Sequence, residues 1–315
     1  MKNKHVLITG AAGFIGTNLV EYFLNNTNYQ IVCLDRKKNQ HAHMLSSHHN
    51  RIKLITHDMA KPIGRELVND IGNIEYVIHL AGATDAKEST VNPSKYVLDN
   101  INGTLNLLEF TRHYLKKVKK IIYFNTAEVY GPSPRDTIFS EDQIYNTNNP
   151  YAASKIGAQE MCLVYHRLYD LPIILTYTAN VFGPAQKSNK FIPLLMNKIF
   201  LEQEVDIHVD VLGMPIKRNY LHVNDICQAT HFLMKNGEIG QKYNIAAEKN
   251  TNNLKIAQLI AHSMNRELKY RLIHTKDDFL ALPMISAKKL RISGWKQQNT
   301  LENGLKELIK CKMKQ

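Results

Sequence analysis

No stretch of this 315-residue chain is apolar for long enough to cross a bilayer. Runs such as Ile192 to Leu195 stop far short of the roughly 20 residues a spanning helix needs. Cysteine is scarce: Cys33, Cys162, Cys227 and Cys311 lie far apart, which argues against both a disulfide framework and a cysteine-based zinc site. A reducing cytoplasm is the compartment that fits. A signal peptide is not expected, because Lys2 and Lys4 precede only the strand-length run Val6-Leu7-Ile8, which leads straight into glycine. His41, His43, His48 and His49 crowd a loop-like stretch, but no acidic or cysteine pattern accompanies them, so no metal site is expected. Internal repeats and low-complexity linkers are absent. Acidic residues are outnumbered, 28 against 40, for a net charge of +12. The basic runs Lys116 to Lys120 and Lys306 to Lys314 lack interleaved aromatic residues, so they read as solvated helix ends and not as a nucleic-acid surface. A generally positive surface helps capture anionic substrates.

What is present is a soluble composition, 44% hydrophobic and 22% charged, at a length that suggests two lobes. Short apolar strands alternate with amphipathic helices. His5 to Thr9, Ile31 to Leu34, Ile52 to Thr56, Tyr76 to Leu80, Ile121 to Asn125 and Ile173 to Thr176 read as strands. Gly16 to Asn25, Asn100 to Leu115 and Ala152 to Tyr169 read as helices between them. That alternation implies an α/β protein with a parallel sheet covered on both faces. Beyond about Asn180, Pro184, Pro193, Gly213, Pro215, Gly237 and Gly240 break the rhythm into shorter elements, as in a smaller second lobe.

Gly10-Ala11-Ala12-Gly13-Phe14-Ile15-Gly16 follows the first strand and opens the first helix. Glycines there permit a tight turn and let backbone amides approach a pyrophosphate. Asp35, at the end of the second strand, is placed to bond ribose hydroxyls and to repel a 2′-phosphate, which favours NAD. Arg36, Lys37 and Lys38 beside it are cations that a phosphate could use, so they pull the other way. Asp58, just past the third strand, is placed for the adenine edge or for a simple turn.

Tyr151 and Lys155 stand four residues apart, on one face of a helix. An ammonium beside a phenol favours the phenolate, so the tyrosine is expected to accept a proton from an alcohol near neutral pH.

With these residues in view, the chain resembles the extended short-chain dehydrogenase/reductases, specifically the NAD-dependent nucleotide-sugar epimerases and dehydratases. The resemblance rests on Gly10 to Gly16, His79 to Ala83, Asn102 to Asn106, Thr126 to Gly131 and Tyr151 to Lys155. It continues through Asn180 to Pro184, Arg218 to Asp225 and Gly294-Trp295, and so covers nearly the whole chain. It implies a Rossmann-type doubly wound sheet over residues 1–180 that binds NAD. A smaller α/β lobe over 181–315 would bind the nucleotide sugar, with the two regions interleaved. It further implies that Gly10, Gly13, Phe14, Ile15, Gly16, Leu80, Ala81 and Gly82 line the cofactor with Asp35 and Asp58. Tyr151 would be the general base and Lys155 its electrostatic partner and a nicotinamide-ribose ligand. Thr126 would bond the reacting hydroxyl, Asn100 would support the sheet or a water, and Thr84, Asn180 and Arg218 would meet the substrate.

The resemblance places transient oxidation at C4 of a nucleotide-diphosphate hexose, after which several outcomes are open. Glu128 resembles the base of 4,6-dehydratases and of uronic-acid decarboxylases. Ala127 stands where many dehydratases carry a proton-donating aspartate, which leaves 4-epimerisation as the alternative. Dehydration is favoured by a small margin. A net NADPH-dependent carbonyl reductase is a third reading, opposed by Asp35 and by the Arg218 region. A non-catalytic cofactor sensor should have lost Tyr151 or Lys155, and both are present. The segment Leu280 to Met284 lacks an arginine that the family often uses for the diphosphate. Phe191 to Leu195 is similar to a segment lining the nucleotide pocket. A homodimer is expected, paired through outward apolar residues such as Leu107, Leu108 and Met161.

Overall fold

Seven strands, each built around buried apolar residues, form one all-parallel sheet in the computed structural model, which describes residues 4–36, 50–132, 137–274 and 283–313. The strands are β1 (His5–Thr9), β2 (Gln30–Asp35), β3 (Ile52–Thr56), β4 (Tyr76–His79), β5 (Lys120–Thr126), β6 (Ile173–Thr178) and, later in the chain, β10 (Lys242–Ile245). Their order across the sheet is β10-β6-β5-β4-β1-β2-β3, with every ladder parallel. Alternation along each strand supplies both faces. In β1, Leu7 enters one core while Val6 and Ile8 enter the other.

Helix α1 (Phe14–Asn26) packs on the second of these faces through Leu19, Val20 and Phe23. Helices α2 (Gly103–Tyr114) and α3 (Pro150–Tyr169) cover the first through Leu107, Leu108, Ala158 and Cys162. Leu107 and Leu108 are each only 1% exposed, so they are consumed inside a single chain and are not the outward stripe expected of them. The two helices lean on each other as well as on the sheet, which turns these positions inward. Met161 is half-buried. Helix α2 is also shorter than the helix expected from Asn100, because residues Val97–Asn102 form a π-helical turn ahead of it.

After Thr178 the chain leaves the large sheet. Strand β7 (Asn180–Phe182) pairs with β9 (Lys217–His222), and β9 pairs with β11 (Asn250–Asn252). Strand β8 (Val205–Val209) runs parallel to β12 (Tyr270–His274). Helices α4 (Phe191–Phe200), α6 (Asn253–Met264) and α7 (Leu301–Met313) close a separate core of Phe182, Leu195, Ile199, Ile256, Ile260 and Leu305. Between these elements the chain returns to the large sheet, with α5 (Val223–Asn236) against its second face and β10 at its edge.

The chain runs outward from β1 to β2 and β3, then crosses to β4 on the other side of β1. The two strand ends diverge there, and a crevice opens at their C-terminal ends.

Candidate active site

The crevice is a cleft of about 820 Å³, within the range that holds a small ligand or cofactor. Its first wall is the glycine loop. Gly10 bonds through its amide to the carbonyl of Leu34 at 2.9 Å and sits at φ +70°, a conformation costly for any residue with a Cβ. A Cβ there would also lie 2.7 Å from the backbone nitrogen of Ala81 on the adjoining strand end. The glycine therefore lets two strand ends meet at the floor of the cleft. Gly13 caps helix α1, whose N-terminus faces the cleft and favours an anion. One Asp35 oxygen accepts from the amide of Ala12 at 3.1 Å, which ties the end of β2 to the loop. Asp58 accepts from the amide of Ala60 at 3.1 Å and also faces the cleft. A backbone cradle with carboxylates at one end fits an adenosine diphosphate moiety.

Beneath the floor runs a relay that the sequence reading did not find. His79 Nδ1 lies 2.7 Å from the hydroxyl of Thr9, and Nε2 lies 3.0 Å from that of Thr104. The Thr104 hydroxyl donates to the carbonyl of Asn100 at 2.6 Å, so it accepts from Nε2–H, and Nδ1 accepts from Thr9. Thr9 in turn accepts from the amide of Ala81 at 3.3 Å. Burial and the charge of Lys155 push His79 down to about 3, which keeps it neutral. Asn100 accepts from the amide of Ala83 at 2.8 Å and donates to the hydroxyl of Ser154 at 2.8 Å. These bonds lock the Ala81–Ala83 turn to helix α3.

Thr126, Glu128 and Tyr151 meet at the far end of the cleft. Thr126 ends β5, and its hydroxyl accepts from the amide of Glu128 at 3.3 Å. Asn149 caps helix α3 by accepting from the amide of Ala152 at 2.8 Å, and its side-chain NH₂ donates to Glu128 at 3.2 Å. One residue thus starts helix α3 and orients the Glu128 carboxylate. Its sequence signal is an Asn before a Pro at the first helical position. Burial raises Glu128 above the usual carboxylate range, against the pull of Asn149, Arg218 and Lys190. Tyr151 is raised as well, by burial first and then by the Glu128 charge, while a hydrogen bond with Thr126 opposes the rise.

This corrects one expectation. Lys155 is not among the groups that tune Tyr151. Its ammonium instead lies 4.4 Å from the centre of the Tyr123 ring, and burial lowers it to about 8. Although the two side chains leave the same helical face, the lysine turns into the core toward Tyr123 on the interior strand β5, so the tyrosine rests as a phenol.

A buried lysine shifted this far costs the fold about 3 kcal/mol at neutral pH, at roughly 1.36 kcal/mol per pKa unit. Between about pH 8 and its unfolded value of about 10.4 the unfolded chain binds more protons, so stability rises with pH across that window. Lys155→Met is therefore expected to melt higher than the parent at pH 7, with the gap closing as the pH approaches 10. Thermal melts across that range check it, and a lower melting point for the variant at pH 7 would contradict it.

The residues singled out from the sequence for a site line the cleft, except Lys155, Arg218, Asn100 and the segment Phe191 to Leu195. Lys155 is buried against the Tyr123 ring, and Arg218 acts on Glu128 through its charge. Asn180 lines the cleft while donating to the carbonyl of Asn219 at 3.1 Å. Asp85 and Lys190, not anticipated, face each other at the mouth at 3.5 Å. Lys37, Lys38, the clustered histidines from His41 to His49, and Leu280 to Leu282 lie outside the described residues. Among the described residues no group of His, Cys, Asp and Glu could hold a metal ion, and no helix is long and apolar enough to cross a membrane.

The pattern of the NAD dependent epimerase/dehydratase family matches residues 6–246. A dTDP-D-glucose 4,6-dehydratase of Dictyostelium discoideum is 34% identical over 277 residues, 82% of this chain but 61% of that protein. This chain therefore spans about three fifths of that relative's length. A dTDP-glucose 4,6-dehydratase of Haemophilus influenzae is 28% identical over 330 residues, which covers 97% of each chain. The crystal structure of dTDP-glucose 4,6-dehydratase from Bacillus anthracis in complex with NAD superposes with a TM-score of 0.87. That pair is 25% identical, over 99% of this chain and 97% of the other.

Proposed function

Because this chain belongs to the NAD dependent epimerase/dehydratase family, we propose that it is an NAD-using enzyme that converts a nucleotide-diphosphate hexose by 4,6-dehydration. NAD, when bound, supplies a reversible two-electron acceptor, so that a carbinol carbon can be oxidised and the electrons returned with no net redox change. The glycine loop and the N-terminus of α1 hold its diphosphate, and Asp35 receives the adenosine ribose. Thr126 and Tyr151 together address the C4 hydroxyl: Thr126 fixes it, and Tyr151, once the bound reactants favour its phenolate and its own proton has left to solvent, takes the hydroxyl proton.

A ketone at C4 acidifies the proton on C5. Glu128 is the carboxylate whose charge acts on Tyr151, and in this reading it removes that proton. Departure of the C6 hydroxyl as water then requires a proton, and the methyl group of Ala127 has none to give. Glu128, having just taken the C5 proton and being held above the ordinary carboxylate range, delivers that proton to the C6 oxygen. The C5–H and C6–O bonds break, a C5–C6 double bond forms, and one water leaves. The observation that carries this reading is the buried, Asn149-oriented carboxylate of Glu128 next to Tyr151 and Thr126. Ala127, itself buried, favours the second reading, 4-epimerisation, which needs no acid at C6.

Incubation with NAD+ and a panel of UDP-, dTDP-, GDP- and CDP-hexoses, followed by mass analysis, tests the proposal. Loss of water supports dehydration, an isomer of unchanged mass supports epimerisation, and loss of carbon dioxide from a uronate supports decarboxylation.

We also propose a homodimer paired through α2 and α3. Of the residues first expected, Met161 remains partly exposed. Leu98 and Leu168 are exposed, at 50% and 67%, and Ile101, Leu105 and Val164 are partly buried. Sedimentation at micromolar concentration should give twice the monomer mass, and Leu168→Glu should shift it toward monomer. A parent protein that sediments as a monomer would contradict this pairing.

A further inference from the structure

Arg36 raises a question of cofactor choice. It follows Asp35 at the end of β2 and lines the adenosine end of the cleft with His57 and Asp58. A guanidinium at such a place is well suited to receive a ribose 2′-phosphate, because its fork matches phosphate oxygens. Here it is engaged elsewhere. Nη1 of Arg36 donates to both carboxylate oxygens of Asp99, at 3.1 and 3.0 Å. The Asp99 side chain is 10% exposed, whereas that of Arg36 is 44% exposed.

Asp99 lies in the π-helical turn Val97–Asn102. Such wide turns within helices recur at functional sites, where they re-aim side chains. This one anchors one residue beneath the floor and presents its neighbour to the cleft. Asn100 is fixed by its bonds to Ala83 and Ser154, and Asp99, one residue earlier, faces the cleft. The anchor at Asn100 thereby fixes the backbone that presents Asp99, and Asp99 fixes Arg36.

We propose that Asp99 and Arg36 form a cofactor-selecting latch, in which the carboxylate holds the guanidinium away from the ribose and so excludes a 2′-phosphorylated dinucleotide. The latch works in two ways. It withdraws a cation that a 2′-phosphate would use. Among the described residues it also adds a third carboxylate to Asp35 and Asp58 at that end of the cleft. An unphosphorylated ribose, which presents two neutral hydroxyls, is unaffected by either.

The latch rests on the reading of this cleft as a dinucleotide site, so the test measures binding and not turnover. Calorimetric titration of the full chain with NAD+ and with NADP+ gives the affinity ratio. Asp99→Asn keeps the shape but loses the charge, and frees Arg36. It should raise the NADP+ to NAD+ affinity ratio by about tenfold to a hundredfold, as expected for a charge-assisted contact to phosphate. The double variant Arg36→Gln/Asp99→Asn should lose most of that gain, which separates release of the arginine from simple loss of a negative charge. An unchanged ratio in Asp99→Asn, with NAD+ still bound, overturns the latch. So does a gain that persists without Arg36, or a parent protein that binds both cofactors equally. If the parent binds neither dinucleotide, the cofactor reading itself fails and the latch falls with it.

Discussion

Tyr151→Phe is expected to lower kcat by about a hundredfold to ten-thousandfold, the usual cost of removing a general base, and to leave cofactor affinity largely intact. Phenylalanine fills the same buried space, so the packing against Tyr96 at 6.1 Å between ring centres survives. What disappears is the oxygen that shares a hydrogen bond with Thr126 and would receive the C4 hydroxyl proton. Because burial and Glu128 hold Tyr151 above its free value, the phenol loses its proton only when the bound reactants favour the phenolate. The rate of the parent enzyme should therefore rise with pH across the neutral range. In the phenylalanine variant the residual rate should lose that dependence. Near-normal turnover of the variant on its true substrate would remove Tyr151 from the mechanism.

Glu128→Gln divides the two reactions. Tyr151 and Thr126 remain, so oxidation at C4 should still proceed. With no base for C5 and no acid for C6, a dehydratase should halt at the 4-keto hexose, which can be trapped with a carbonyl reagent. Solvent deuterium should no longer enter C5, and formation of the dehydrated product should fall by about a hundredfold or more. The fold should tolerate the change. Burial penalises the charged carboxylate, and a neutral amide of the same shape still accepts from Asn149. If the enzyme is an epimerase, the same substitution should alter turnover only modestly, since rotation of the sugar needs no base at C5. Normal deuterium incorporation at C5 in the variant would exclude Glu128 as the base.

Much of this protein is written locally along its chain. The short continuous apolar runs, the helical stripes between them and the glycines after β1 each describe a few neighbouring residues whose backbone preference needs no distant partner. They determine the alternating strands and helices, the parallel sheet and the position of the cofactor cradle. The Tyr151 to Lys155 spacing likewise determines that both residues leave one face of α3.

Side-chain direction and partnership belong to the tertiary structure. Lys155 turns toward Tyr123 and leaves Tyr151 to burial and Glu128, because a ring on β5 lies within reach of its ammonium. Leu107 and Leu108 lie inside the chain because α2 and α3 pack against each other over the sheet. Asn149 reaches Glu128 from 21 residues away, and Asp99 reaches Arg36 from 63. Pairs so distant in sequence leave no periodic signal. They meet only when the strand order places their elements side by side, and the π-helical turn then aims Asp99 into the cleft.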